Sequence, residues 1–287
     1  VLACEETPVF DAADDVIDFD AETQEAPQAG LALFNACTMR GPDVGTFLHE
    51  IMQRADFTDD TGRARLIDAM IRKYAYLFPD ENREEAQTQW AAYIEKMMKA
   101  VLSAHLTDGD APLKLSDVPF AARYSEWPFT MSVARGAGGK KAPRAKTLAA
   151  LLKAFGPEYA IDELDDTALT GYLTGTADLV FKAQGKYWLV DWKSNFIGSG
   201  TPADYTEKAV HDEMRRHNYR LQYLIYLTAM KRFLEVKTGV ADGCDLIGGV
   251  FYVFLRGAGE GSPTQGIFRD RPPAELIRAL DTFFKTG

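Results

Sequence analysis

Residues 171–195 read GYLTGTADLVFKAQGKYWLVDWKSN, and this stretch decides the fold class. Two runs, 172–182 and 186–193, are rich in β-branched and aromatic residues, with Ala183-Gln184-Gly185 between them. That pattern predicts two antiparallel strands joined by a turn. Asp191 and Lys193 are two apart on the second strand, so they share a face. Asp178 lies on the first strand, and the turn brings it alongside. Two carboxylates and one ammonium are therefore expected at one place on a sheet, among Leu179, Val180, Phe181, Trp188, Leu189 and Val190. Charges in such surroundings are costly unless they are paired or hold a cation.

Two carboxylates at one site favour a hard divalent ion such as Mg²⁺. Such an ion can polarise a phosphate and activate water, and a lysine beside it can hold that water or offset charge on the phosphate. An isolated D-x-K is more often an ion pair at a sheet edge. The upstream Asp178 on the paired strand favours the cation site. Two further residues stay open on spacing alone. His49 sits at the border of an apolar helical stripe, as a boundary residue or as an imidazole ligand to the same ion. Glu126, in SEWPF, is an exposed glutamate near a strand start or a third acidic group of the site.

Working outward, Pro42 opens a helix in which Val44, Phe47, Leu48, Ile51 and Met52 make one apolar stripe. Further helix is expected at about 62–77, 81–105, 204–235 and 273–285, extended chain over 118–134, and a buried strand through 248–255. Segment 135–146, RGAGGKKAPRAK, reads as a basic loop. Interleaved helices and strands give an α/β class with a mixed central sheet flanked by helices. On the 204–235 helix, Arg215, Tyr219, Gln222 and Tyr226 are spaced to share a face. That face either contacts phosphate, sugar and bases or packs its aromatics into the core.

The net charge of −10 would weigh against a nucleic-acid partner if it were evenly spread. It is not: residues 1–39 hold nine acidic residues and no Lys or Arg, so the remainder carries 32 basic residues against 33 acidic ones. A nearly neutral body can carry a basic channel. Residues 1–38 read as an acidic flexible tether and 39–287 as the folded domain. The start at Val1, without Met, suggests a piece of a longer chain. Cys4, Cys37 and Cys244 are too scattered for a metal cluster and suit free thiols in a reducing cytoplasm. No apolar run is long enough to span a membrane.

Taken together, these motifs resemble the RecB-type nucleases of the PD-(D/E)XK superfamily, with the restriction-endonuclease-like fold. The resemblance is carried by GYLTGTADLVFKAQGKYWLVDWKSN, by RGPDVGTFLHEIMQ at 40–53, by HNYRLQYLIY at 217–226 and by GGVFYVFLRG with the following QGIF and RP. Together they span most of 39–273 in the family's order. The resemblance implies that His49, Asp178 and Asp191 are metal ligands, with the Trp192 carbonyl a further one, and that Lys193 is the catalytic lysine. Glu126 stands for the additional acidic residue. Gln222 and Tyr226 stand for the Q-x-x-x-Y pair, which supports the site and contacts DNA. It implies Mg²⁺ as cofactor, with Mn²⁺ able to substitute and Ca²⁺ able to bind without cleavage. The first aspartate lies in G-T-A-D and not in a literal Pro-Asp. The four cysteines of the iron–sulfur cluster found in some relatives are missing, so no cluster is expected. No G-x-x-x-x-G-K-[ST] motif occurs, so no ATP site is expected in this chain.

The implied activity is metal-dependent cleavage of single-stranded DNA at duplex ends, in recombinational repair. The implied partners are RecC, RecD and the RecA recombinase. A different class of function is a non-catalytic docking module for RecA or for the RecC and RecD subunits.

Overall fold

The structure is a computed structural model that describes residues 41–78, 82–109, 111–134, 142–161, 166–257 and 264–286. The acidic segment 1–38, Cys4, Cys37 and most of the basic loop (135–141) lie outside the described residues.

The hairpin forms as the pattern predicts and is the middle of a five-stranded sheet. Strand β1 is Arg123–Val133, β2 Gly171–Ala183, β3 Lys186–Lys193, β4 Ile247–Phe254 and β5 Ile267–Asp270, and the sheet order is β1-β2-β3-β4-β5. All neighbours are antiparallel except β3 and β4, which are parallel. A parallel pair needs a crossover, and the chain between β3 and β4 supplies helices for it. Every residue of β4 is buried, because it has a strand on each side and helices on both faces. That is why its sequence is one apolar run.

Helices α1 (Pro42–Arg54), α2 (Asp60–Lys73) and α3 (Arg83–Ser103) cover one face. Phe47, Leu48, Ile51, Trp90 and Ile94 meet Leu179, Phe181, Val190 and Trp192 there. Helices α4 (Ala145–Ala154), α5 (Glu207–Arg216), α6 (Tyr219–Thr238) and α7 (Ala274–Thr286) cover the other. Leu148, Met214, Tyr223, Leu227 and Leu280 meet Val180, Leu189, Val250, Tyr252 and Phe254. No described helix is long and apolar enough to cross a membrane.

The structure corrects four expectations and adds a short strand. The helix expected at 204–235 is two helices, α5 and α6, broken at His217 and Asn218. Asn218 takes a left-handed conformation, φ 51°. Asparagine enters that region at low cost, so the break carries no Gly or Pro marker. Residues 145 and 146 belong to α4 and not to a loop, and that helix was not anticipated. Over 118–134 the strand begins only at Arg123, after a short 3-10 turn. Helix α2 stops at Lys73, with a separate 3-10 turn over Ala75–Leu77. The four-residue β5 is too short to leave a pattern.

Helices α6 and α7 are joined by a buried ion cluster. Asp281 accepts from Lys231 at 2.9 Å, Arg232 at 2.6 Å and Lys285 at 2.8 Å. Burial raises the Asp281 pKa, but these three cations outweigh it and hold the carboxyl down at about 2. A depressed pKa stabilises the fold above the unfolded value, about 4, and that contribution is lost as pH falls through about 2. Asp281→Asn would leave Lys231 with Glu235, 2.6 Å away, as its remaining carboxylate, and should lower the unfolding free energy by about 2 kcal/mol through the weakened bonds to Lys231, Arg232 and Lys285. Urea unfolding at pH 7 checks this, and the gap to wild type should close at about pH 2.

Candidate active site

The site begins with an irregularity shared by β1 and β2. Ser125 pairs with Leu179 and Trp127 with Ala177, but the ladder skips the intervening Glu126 and Asp178, which lie opposite one another. Glu126 has a left-handed backbone, φ 53°. On both strands the alternation of faces slips by one here. Ala177 and Val180 join the core under α6, whereas Leu179 joins the core under α1. Such slips re-aim side chains next to functional sites. They put Glu126 and Asp178 together, beside the end of β3.

Helix α1 brings His49 to the same place. Its Nδ1 is 3.7 Å from Asp178 Oδ1. The Trp192 backbone N–H donates to Asp178 Oδ2 at 2.6 Å, which fixes the other carboxylate oxygen. The Trp192 side chain is buried on the α1 side, edge-on to Phe57. Asp191 and Lys193 are 3% and 4% exposed. Lys193 Nζ is 2.8 Å from Asp191 Oδ2, yet that oxygen is buried without an aligned hydrogen-bond partner among the described residues. Burial first, and then Asp178, push the Asp191 carboxyl up to about 7, although Lys193 and His49 oppose the rise. Partial burial and the charge of Asp178 raise Glu126 too, with His49 opposing. Four expected residues, His49, Glu126, Asp178 and Asp191, thus act on one another electrostatically, with Lys193 in contact.

The α6 face is turned towards this site and not towards solvent. Tyr226 is 1% exposed and packs edge-on against Phe129, with centroids 5.3 Å apart. Gly175 permits this: a Cβ there would stand 2.7 Å from the Phe129 ring and 3.3 Å from Tyr226. Gln222 donates to the Tyr226 hydroxyl at 3.0 Å and accepts from the Tyr252 hydroxyl at 2.7 Å. The Tyr219 ring lies 4.0 Å from Lys193 Nζ. Arg215 departs from the expected face because it belongs to α5. It is exposed and 3.4 Å from Asp212. A stacking role for Tyr226 has no open ring face to use. Tyr252 and Asn195 were missed, since one lies in an apolar run and the other carries no periodic signal.

Donor chemistry and charge fit a hard divalent ion: carboxylates from Asp178, Asp191 and Glu126, an imidazole from His49, and a buried carboxylate oxygen lacking an aligned donor. The side chains are not closed around a common point. Among the described residues, no three His, Cys, Asp or Glu groups are gathered tightly enough to hold a metal ion as they stand.

The family model of the PD-(D/E)XK nuclease superfamily matches residues 29–285. The chain belongs to the PD-(D/E)XK nuclease superfamily. Within that superfamily it is similar to the RecBCD enzyme subunit RecB of Haemophilus influenzae, 34% identical over 94% of this chain and 21% of that protein. It is also similar to the subunit of the same name from Escherichia coli K12, 32% identical over 85% of this chain and 19% of that protein. The corresponding Mycobacterium tuberculosis protein is 28% identical over 91% of this chain and 25% of its own length. The chain thus spans about a fifth to a quarter of these relatives.

In this PD-(D/E)XK chain the left-handed backbone of Glu126 is a local cost, and Asp178 beside it adds like charge. Glu126→Gly removes both and should raise the unfolding free energy by about 1 kcal/mol. Denaturant unfolding measures this. A destabilised variant would show that the Glu126 side chain supports the fold.

Proposed function

We propose that this chain is a Mg²⁺-dependent deoxyribonuclease that hydrolyses single-stranded DNA during double-strand-break processing and recombinational repair. The observation that carries the reading is Lys193 in contact with Asp191, with Asp178 and His49 beside them, at one end of β3. A buried Lys–Asp contact amid surplus carboxylates is a poor stabilising device. It suits a site made to take a cation and a phosphate.

His49, Asp178, Asp191 and the Trp192 carbonyl would hold the ion, with Glu126 reaching it directly or through water. Mn²⁺ would substitute, and Ca²⁺ would bind without supporting cleavage. The ion, when bound, supplies charge to polarise the phosphate and to acidify water. Lys193 holds the attacking water and offsets charge that develops on the phosphate. Asp191 keeps the lysine at that spot, and the Trp192 N–H keeps Asp178 from turning away. Gln222, Tyr226 and Tyr252 wall the site on the α6 side. The recessed position of Asp191 and Lys193 supports a single strand as substrate, since a flexible backbone can bend into a recess that a stiff duplex cannot enter. Arg215 and the α5–α6 elbow are reachable for the flanking phosphates.

The relatives are named as subunits of a RecBCD enzyme. By that likeness the chain would work in the cytoplasm beside RecC and RecD, and would pass the new single strand to RecA.

Asp191→Ala and Lys193→Ala should each slow Mg²⁺-dependent cleavage of labelled single-stranded DNA by at least about a hundredfold. Cleavage at the wild-type rate by either variant would remove its residue from the mechanism. Asp191 must lose its proton to take the ion, and its carboxyl is pushed up to about 7. Below that pH the Mg²⁺ concentration giving half-maximal rate should therefore rise about tenfold per pH unit. A flat Mg²⁺ requirement from pH 8 to pH 6 would show that Asp191 is not a ligand.

A further inference from the structure

Tyr219 is the first residue of α6, directly after the elbow at Asn218. Its ring face lies 4.0 Å from Lys193 Nζ, and the Tyr252 ring lies 5.3 Å away. The ring is held on its own account. His217 stacks on it, with centroids 5.2 Å apart and planes 20° apart. The Tyr219 hydroxyl meets the Asn195 amide, accepting from Nδ2 at 3.2 Å and donating to Oδ1 at 3.3 Å. Asn195 is fixed in turn. Its Nδ2 also donates to Glu213 at 3.0 Å, and its backbone carbonyl accepts from the Tyr205 hydroxyl at 2.8 Å. Glu213 lies 2.9 Å from His217 Nε2, which closes a loop of contacts from α5 through the end of β3 to α6.

We propose that Tyr219 is a positioning residue of the cleavage reaction: its ring holds the Lys193 ammonium at its working place, and its hydroxyl ties that ring to the chain just beyond Lys193. The inference rests on Lys193 being the catalytic lysine. A lysine has four rotatable bonds, and a buried carboxylate is its strongest local attractor. Asp191 Oδ2, 2.8 Å from the ammonium, is one fixed point for it; the Tyr219 ring supplies a second, so the ammonium's place does not depend on the carboxylate alone. An aromatic face in a partly dry site attracts a cation without accepting its protons. It therefore adds a second attraction for the ammonium beside Asp191 Oδ2, without itself taking up an N–H. The elbow serves this purpose, because a continuous helix through 217 and 218 would carry residue 219 away from Lys193.

The test measures the single-turnover cleavage rate and, separately, DNA affinity for Tyr219→Leu, Tyr219→Phe, Lys193→Ala and the Tyr219→Leu/Lys193→Ala double variant. Tyr219→Leu should lose about tenfold in rate while keeping its DNA affinity. Tyr219→Phe, which keeps the ring, should restore most of that rate. In the Lys193→Ala background, adding Tyr219→Leu should change the residual rate by less than about twofold, because its effect passes through the missing lysine. If Tyr219→Leu does not fold, Tyr219→Met gives the same reading. A loss of DNA affinity with the rate intact, a full loss repeated in the Lys193→Ala background, or a phenylalanine variant as slow as the leucine one would each overturn the proposal. A wild-type rate for Lys193→Ala is a separate outcome. It would overturn the assignment of the lysine itself, and this inference with it.

Discussion

Two opposite charges are buried on one face of a central strand, two residues apart, and the rest of the structure accommodates them. Asp191 and Lys193 sit where the sheet has helices on both sides, so neither can relax into water. Their mutual attraction does not balance the site, because Asp178 and Glu126 add negative charge. Burial first, and the charge of Asp178 after it, push the Asp191 carboxyl up to about 7. A fold selected for stability alone would replace such a group with an apolar one. Its retention fits a site whose charge is completed from outside.

Each surrounding element answers part of that constraint. Helix α1 brings an imidazole to Asp178, and the β3 backbone satisfies one of its oxygens. Helix α6 brings two tyrosines and a glutamine, which line the other side with groups that carry no net charge. The elbow at Asn218 lets α5 and α6 point different faces at the same strand end. The ion cluster at Asp281 anchors α6 to α7 at a distance from the site, so the wall facing Lys193 is supported from behind.

Much of this is legible in the sequence, for identifiable reasons. The hairpin, α1 and β4 announce themselves because a two-residue or 3.6-residue period, or an unbroken apolar run, is the direct imprint of burial on one or both faces. Asp178, Asp191 and Lys193 are legible as a group because only one turn separates their strands. His49 and Glu126 are not, since nothing in spacing joins α1 or β1 to the hairpin; their place came from resemblance, and the geometry supports it. The α5–α6 break is hidden because Asn218 carries no strong marker. The burial of Tyr226 is one of the two readings that its helix face allows, and spacing cannot choose between them until the charges the face covers are known. The bonds of Asn195 to Glu213 and Tyr219 are set by tertiary packing alone.

The slips at Glu126 and Asp178 have a consequence for how such a chain can change over time. Each strand is out of step by one residue, and the two offsets cancel, so the pairing on either side keeps a single register. Deleting Glu126 or Asp178 alone would restore regular alternation in that strand and leave the other with one extra residue, a β-bulge. A matched pair of deletions would leave the sheet intact and remove two of the site's three carboxylates. Loss of catalysis by this route is invisible to the architecture, and the sheet can outlive its chemistry.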